Sequence, residues 1–175
     1  MKKIVVSAAV VIAIAIGCKT AGSTTPSKAI TITMDAKSGS KVSGSATFIE
    51  KNGEVTLEAK LTGLQPGVHA IHIHEKADCS AADGSSAGGH WNPTFKNHGK
   101  WGSTSYHRGD IGNFTADIDG NATVLFKTNE WCISCGDATK DIVGKGLVVH
   151  QNPDDYTTQP SGNAGARVAC SGIIK

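Results

Sequence analysis

The chain has 175 residues, 18% of them charged, with 17 Lys and Arg against 15 Asp and Glu for a formal charge of +2. A balance this close to zero gives no electrostatic footprint for nucleic acid or for an anionic surface. The length suits one domain with a full core better than two.

Lys2 and Lys3 precede an uncharged run from Ile4 to Gly17 that ends at Cys18. The run is shorter than the roughly 20 residues a membrane-spanning helix needs, so it reads as an export signal. The Gly17-Cys18 junction suits lipoprotein cleavage better than an A-x-A site, although Ala15 stands where such sites usually carry a larger aliphatic residue. Residues 1–17 are therefore expected to be a signal peptide, and the mature chain to begin at a lipid-modified Cys18 held on a bacterial membrane, facing the periplasm or the exterior. Release as a soluble protein is the first alternative, and a retained anchor helix the last. Cleavage leaves 158 residues (175 minus 17) and a formal charge of 0 once Lys2 and Lys3 are gone.

Residues 18–28 follow as a lipid-anchored tether, small and polar with one proline, and the domain is expected over 29–175. From there the pattern has period two: Val55, Leu57, Ala59 and Leu61 alternate with Thr56, Glu58 and Lys60. The same reading predicts strands near 30–35, 42–50, 54–61, 68–74, 112–118, 122–127, 146–150 and 167–174, separated by turns such as Lys51-Asn52-Gly53 and Asp119-Gly120-Asn121. No stretch carries a sustained helical period. Eight strands with Gly-rich turns argue for an all-β antiparallel sandwich or barrel. Two long segments, 75–111 and 151–166, interrupt the spacing, and connections of this length usually carry function.

All seven histidines fall between residues 69 and 150. His72 and His74 lie two apart on a predicted strand, so their imidazoles share a face and can reach one metal ion. His69 has the opposite parity and reads as structural. The first long loop supplies His90, His98, His107 and Asp110, a donor set that suits zinc, and folding around such an ion would order a polar loop that has no core of its own. His150 ends the apolar run Leu147-Val148-Val149 and would complete a nitrogen-rich site with His72 and His74. Any one of these alone is usually a solvated or hydrogen-bonding histidine; together they make a metal centre the better explanation. Apart from Cys18, the cysteines form an even set, Cys79, Cys132, Cys135 and Cys170, compatible with two bridges in an exported protein; spacing does not choose among the three pairings.

The motifs GVHAIHIHE (67–75), AGGHWNP (87–93), HRGDIGNF (107–114), GLVVH (146–150) and GNAGARVAC (162–170) together resemble the copper/zinc superoxide dismutase family, over about residues 30–175. The resemblance implies an eight-stranded Greek-key β-barrel. It places copper on His72, His74, His90 and His150, and zinc on His90, His98, His107 and Asp110. His90 would bridge the two, exchanging copper for a proton at each reduction. Asp154 would link the sites through outer histidine nitrogens, and Arg167 would attract and orient the superoxide anion beside the copper. Cys79 and Cys170 match the family disulfide, worth on the order of 4 kcal/mol by loop entropy. The implied activity is dismutation of superoxide to oxygen and hydrogen peroxide, protecting the cell envelope. A homodimer fits the family, but no sequence feature locates its interface.

The segment from Trp131 to Gly136 departs from the better-known members by carrying Cys132 and Cys135 in a C-x-x-C. No helical pattern follows to make it a thioredoxin-like pair, so a local disulfide is expected, with metal loading or an auxiliary copper site as the sharper alternative. The loop 151–166 holds no lysine or glutamate, which leaves guidance of the substrate mainly to Arg167 and the metals. Two rival readings use the same barrel: a copper or zinc buffer without turnover, against which Arg167 argues, and a surface scaffold, against which the complete ligand set argues.

Overall fold

In a computed structural model describing Met1 and residues 27–175, eight strands follow one another with almost no helix. They are β1 (Lys28–Ala36), β2 (Ser43–Lys51), β3 (Glu54–Thr62), β4 (Gly67–His74), β5 (Gly112–Ala116), β6 (Ala122–Thr128), β7 (Gly146–His150) and β8 (Arg167–Gly172). Each lies within two residues of its predicted span. The signal peptide, Cys18 and most of the tether fall outside the described residues. Lys28, assigned by composition to the tether, is the first residue of β1, where its ammonium group donates to the Ile133 carbonyl at 2.7 Å.

All pairings are antiparallel and run in the order β5-β4-β7-β8-β1-β2-β3-β6. The outer strands β5 and β6 approach each other across the turn that links them, so the sheet nearly closes into a barrel. Period two decides which side chains fill it. On β2 and β3, Phe48 pairs with Leu57 and Ala46 with Ala59, all four fully buried. On β4 and β7, Ile71 pairs with Val149, and both join the same core as Ile73 and Leu147. That parity turns His72 and His74 to the outer face of the wall, where the first long loop covers them. No helix among the described residues is long and apolar enough to cross a membrane.

Candidate metal centre

The loop between β4 and β5 is fastened to the barrel by its backbone. Ile73 accepts from the Trp91 amide at 2.8 Å and donates to the Gly109 carbonyl at 2.9 Å, while the Gly109 amide donates to Trp91 at 3.0 Å. A Cβ at position 109 would overlap the Ile73 carbonyl, which explains glycine inside the HRGD turn. These bonds bring His90 beside His74 and aim the turn carrying His107 and Asp110 at the same region. A bulge at Val149/His150 ends the β7 ladder and presents His150 to it as well.

Two sets of donor atoms result, each with all members within 4.8 Å of one another: His72, His74, His90 and His150, and His90, His98, His107 and Asp110. Every one of these side chains is buried. Within the first set, His74 Nε2 and His150 Nε2 face each other at 3.3 Å. The outer nitrogens are occupied: His72 Nε2 meets Asp154 Oδ2 at 2.9 Å and His74 Nδ1 meets the Gly88 carbonyl at 2.9 Å.

Among the described residues, His72 Nδ1, His90 Nε2, His98 Nδ1 and His107 Nδ1 are buried without a hydrogen-bond partner. His98 Nδ1 and His107 Nδ1 lie 3.0 and 3.3 Å from Asp110 oxygens but out of hydrogen-bond alignment, as ligand atoms converging on a shared centre would. Burying unpaired nitrogens costs about 1–3 kcal/mol each, and a cation at each centre removes that cost. The donor chemistry fits: a nitrogen-only set suits copper, and three nitrogens with one carboxylate suit zinc.

Electrostatics separates the two sets. Burial, and then the neighbouring imidazoles, hold His74 and His150 well below the usual histidine range and His90 down to about 4. These rings stay neutral and able to coordinate. Burial also opposes charge on His98, but the adjoining Asp110 and Asp154 carboxylates outweigh it and raise that ring to about 9. Burial pushes the Asp110 and Asp154 carboxyls up, and their histidine partners override it, keeping both far below the carboxylate range.

Asp154 Oδ1 accepts from His98 Nε2 at 2.9 Å while Oδ2 meets His72, so one carboxylate spans both sets. It is held by residues that the sequence did not single out. Asn113 exchanges two hydrogen bonds with the Asp154 backbone, at 2.7 and 2.9 Å, and Gln159 brackets the His98 backbone at 2.8 and 3.0 Å. The one signal for Asn113 was its place in the GNF run after the HRGD turn. Gly162, in the left-handed region at φ 68°, leaves the space that the Asp154 carboxylate fills. His69 lies apart from both sets, with its ring nitrogens at 3.0 Å from the His150 carbonyl and 2.7 Å from the Gln65 carbonyl.

The first set opens on a cleft of about 610 Å³ whose wall includes His74, His90, His150 and Arg167. The half-buried Arg167 guanidinium donates to the Gly84 carbonyl at 2.6 Å and the Gly88 carbonyl at 2.7 Å, which fixes it above the opening. A disulfide joins Cys79 of the loop to Cys170 of β8 across 91 residues, and a second joins Cys132 to Cys135. The loop also brings Lys96 and Glu75 into the cleft wall, so the charge there is not left to Arg167 alone.

The family model described as "Copper/zinc superoxide dismutase (SODC)" matches residues 42–174. The chain belongs to the copper/zinc superoxide dismutase family. It is similar to "Superoxide dismutase [Cu-Zn]" of Caulobacter vibrioides, 42% identical over 139 residues, which are 77% of this chain and 79% of that protein. "Superoxide dismutase [Cu-Zn] 2" of Aquifex aeolicus is 38% identical over 77% of this chain and 80% of its own length. The protein of the same name from Mesembryanthemum crystallinum is 39% identical over 76% and 86%. As a copper/zinc superoxide dismutase the chain is an oxidoreductase that takes superoxide as substrate and uses copper and zinc.

Proposed function

We propose that copper is held by His72 Nδ1 and by His74, His90 and His150 through Nε2, and zinc by the Nδ1 atoms of His90, His98 and His107 with Asp110. The unpartnered nitrogens, buried and convergent, carry this reading. When bound, copper supplies one-electron exchange with superoxide and zinc a fixed positive charge. The overall reaction consumes two superoxide ions and two protons and yields oxygen and hydrogen peroxide.

The chain's own part is positional. Asp154 sets which nitrogen of His72 and of His98 is free to coordinate, and the Gly88 carbonyl does the same for His74. His90 alone belongs to both sets, its Nδ1 against Asp110 at 2.8 Å and its Nε2 buried without a hydrogen-bond partner. Its Nε2 is therefore the atom that can hold a proton beside the reacting oxygen. Arg167 attracts the anion and orients it, held by two carbonyls so that little rearrangement is needed on arrival.

Lys2, Lys3, the uncharged run and the Gly17-Cys18 junction support export and lipid anchoring at Cys18, with dismutation serving the cell envelope. A bridge between Cys79 and Cys170 fits an oxidising compartment. The homodimer belongs to the same reading and would appear in sedimentation velocity of the loaded protein as twice the monomer mass.

The test is dismutation by the copper- and zinc-loaded protein and its Arg167→Ala variant. The variant is expected to keep both metals and lose roughly 10- to 100-fold in kcat/KM, the range of electrostatic attraction in a cleft. Stoichiometric metal with no turnover in the parent would favour the buffer reading instead.

A further inference from the structure

The Cys132–Cys135 disulfide is absorbed by neither histidine set, and its surroundings make it a poor structural cross-link. It spans three residues, against 91 for Cys79–Cys170, and the entropy removed from an unfolded chain grows with loop length. The loop around it is already fixed by other means. Asp141 Oδ1 accepts the amides of Ser134 and Val143 at 3.0 and 3.1 Å, and Oδ2 those of Cys135 and Gly136 at 3.0 and 3.2 Å. The Cys132 amide donates to the Lys140 carbonyl at 2.9 Å, and the Cys132 carbonyl accepts from Ile142 at 3.1 Å. Ile133 donates to Glu50 at 2.8 Å, and Trp131, Ile133 and Ile142 are buried in the core. These hydrogen bonds hold the Cys132 and Cys135 backbone independently of the bridge.

We infer that this loop is a dithiol site for copper(I), closed while the disulfide is intact and opened by reduction. Cys135 is exposed and Cys132 is buried, so an incoming thiolate of a dithiol reductant attacks Cys135 Sγ. The sulfur–sulfur bond breaks and Cys132 leaves as the thiolate. The reductant's second thiol then displaces Cys135 and forms the reductant's own disulfide, with two electrons and two protons passing to the pair. A copper(I) ion replaces the two thiol protons, forming two Cu–S bonds.

The ligand count selects the metal. Asp141 has an oxygen within 4.8 Å of both sulfurs, but four amide donors already use the acceptor sites of its carboxylate. What remains is a pair of soft thiolates, which suits copper(I) and falls short of the four ligands of a structural zinc site. The same amides are spent on Asp141, so no free cluster of N–H dipoles is left to activate a thiolate for redox catalysis. The site stands against the zinc-ligand loop: the Trp131 indole donates to the Arg108 carbonyl at 2.8 Å, between His107 and Asp110. Glu130 also takes the Tyr106 hydroxyl at 2.7 Å and the Arg108 guanidinium.

The test uses the copper- and zinc-loaded protein under anaerobic conditions, treated with graded phosphine reductant and then freed of it. Alkylation and peptide mass should show Cys132 and Cys135 opening before the buried Cys170. Titration with copper(I) held by a chromophoric cuprous chelator should then add one copper per chain, with sulfur ligation in the copper X-ray absorption spectrum. The extra copper should vanish on reoxidation and in the Cys132→Ser/Cys135→Ser variant, whose dismutation and melting temperature confirm that it folds. No added copper after reduction, or the same added copper in the double variant, overturns the proposal. Because these cysteines belong to neither histidine set, that result would leave the assignment of the main sites untouched.

Discussion

The two metal sets differ in what holds them before any ion arrives. His72, His74 and His150 stand on β4 and β7, whose ladder and core partners Ile71, Ile73, Leu147 and Val149 are complete without metal. His98, His107 and Asp110 come from one long loop, tied to the wall by backbone bonds at Trp91 and Gly109 and by the Cys79–Cys170 bridge. A site on strands is preorganised by the fold, whereas a site on a loop is completed by its ion, so its binding energy is also folding energy. His90 and Asp154 are where the two kinds of site meet.

The largest effect that would break this contrast concerns Asp110. Its carboxylate is the zinc set's one anion and also takes the His107 amide at 2.7 Å and the Gly99 amide at 3.2 Å. Asp110→Asn is expected to weaken zinc binding beyond the roughly 10- to 100-fold that loss of an outer partner costs, and to raise amide exchange through residues 90–111. Copper should remain on the strand site. Metal analysis with hydrogen exchange reads both quantities, and equal loss of the two metals would show that the strand site is not preorganised.

Asp154→Asn is the next step down, because it touches both sets through outer nitrogens only. An amide can accept from one histidine but not serve both as a carboxylate does. Zinc affinity should fall by about 10- to 100-fold, and copper affinity by less, since the strand still positions His72. Competition with a chelator for each metal measures the difference. A larger fall for copper would reverse the order argued from the elements.

In metal-free protein the copper-set rings and His98 should also respond to opposite ends of the pH scale. His90, held at about 4 by burial and by His72, cannot take a proton that the unfolded chain takes near 6.5, and His74 and His150 behave alike. Their stabilising contribution is present above 6.5 and is lost as pH falls toward 4, by about 3 kcal/mol for His90. His98, raised to about 9, contributes below 6.5 and loses that contribution as pH rises through 9. Urea unfolding of the metal-free protein should therefore show greatest stability near pH 6.5. A profile flat from pH 7 down to 4.5 would contradict the buried neutral ligands, since Asp110 and Asp154 stay ionised throughout that interval.

Strands were legible because alternation is local: Val55 to Leu61 announces its buried face without reference to any partner. The histidines were legible for a similar reason, since H-x-H on a strand and clustering in one loop survive in the linear order. The hydrogen-bond partners were not. Asn113 meets Asp154 across 41 residues and Gln159 meets His98 across 61. The Gly84 and Gly88 carbonyls that fix Arg167 belong to every peptide and carry no residue code. Lys96 also escaped, because the lack of lysine in the second loop left cleft charge mainly to Arg167 and the metals, and the first loop was not read for it.

That last difference bears on how superoxide approaches, and here the smallest effect is expected. The cleft wall contains two cationic side chains, Lys96 and Arg167, and one anionic side chain, Glu75, which leaves one unbalanced positive charge. Lys96 also lies 5.7 Å from the centre of the Tyr106 ring, a contact that draws its ammonium toward the loop surface. Screening shortens from about 30 Å at 0.01 M salt to about 10 Å at 0.1 M, so long-range attraction fades while the short-range pull of the fixed Arg167 persists. Over that interval kcat/KM should fall by roughly threefold or less, with Lys96→Gln flattening the slope and Glu75→Gln steepening it. Rates followed by pulse radiolysis would decide this, and a decline beyond about tenfold in the parent would mean that charges far from the cleft do the guiding.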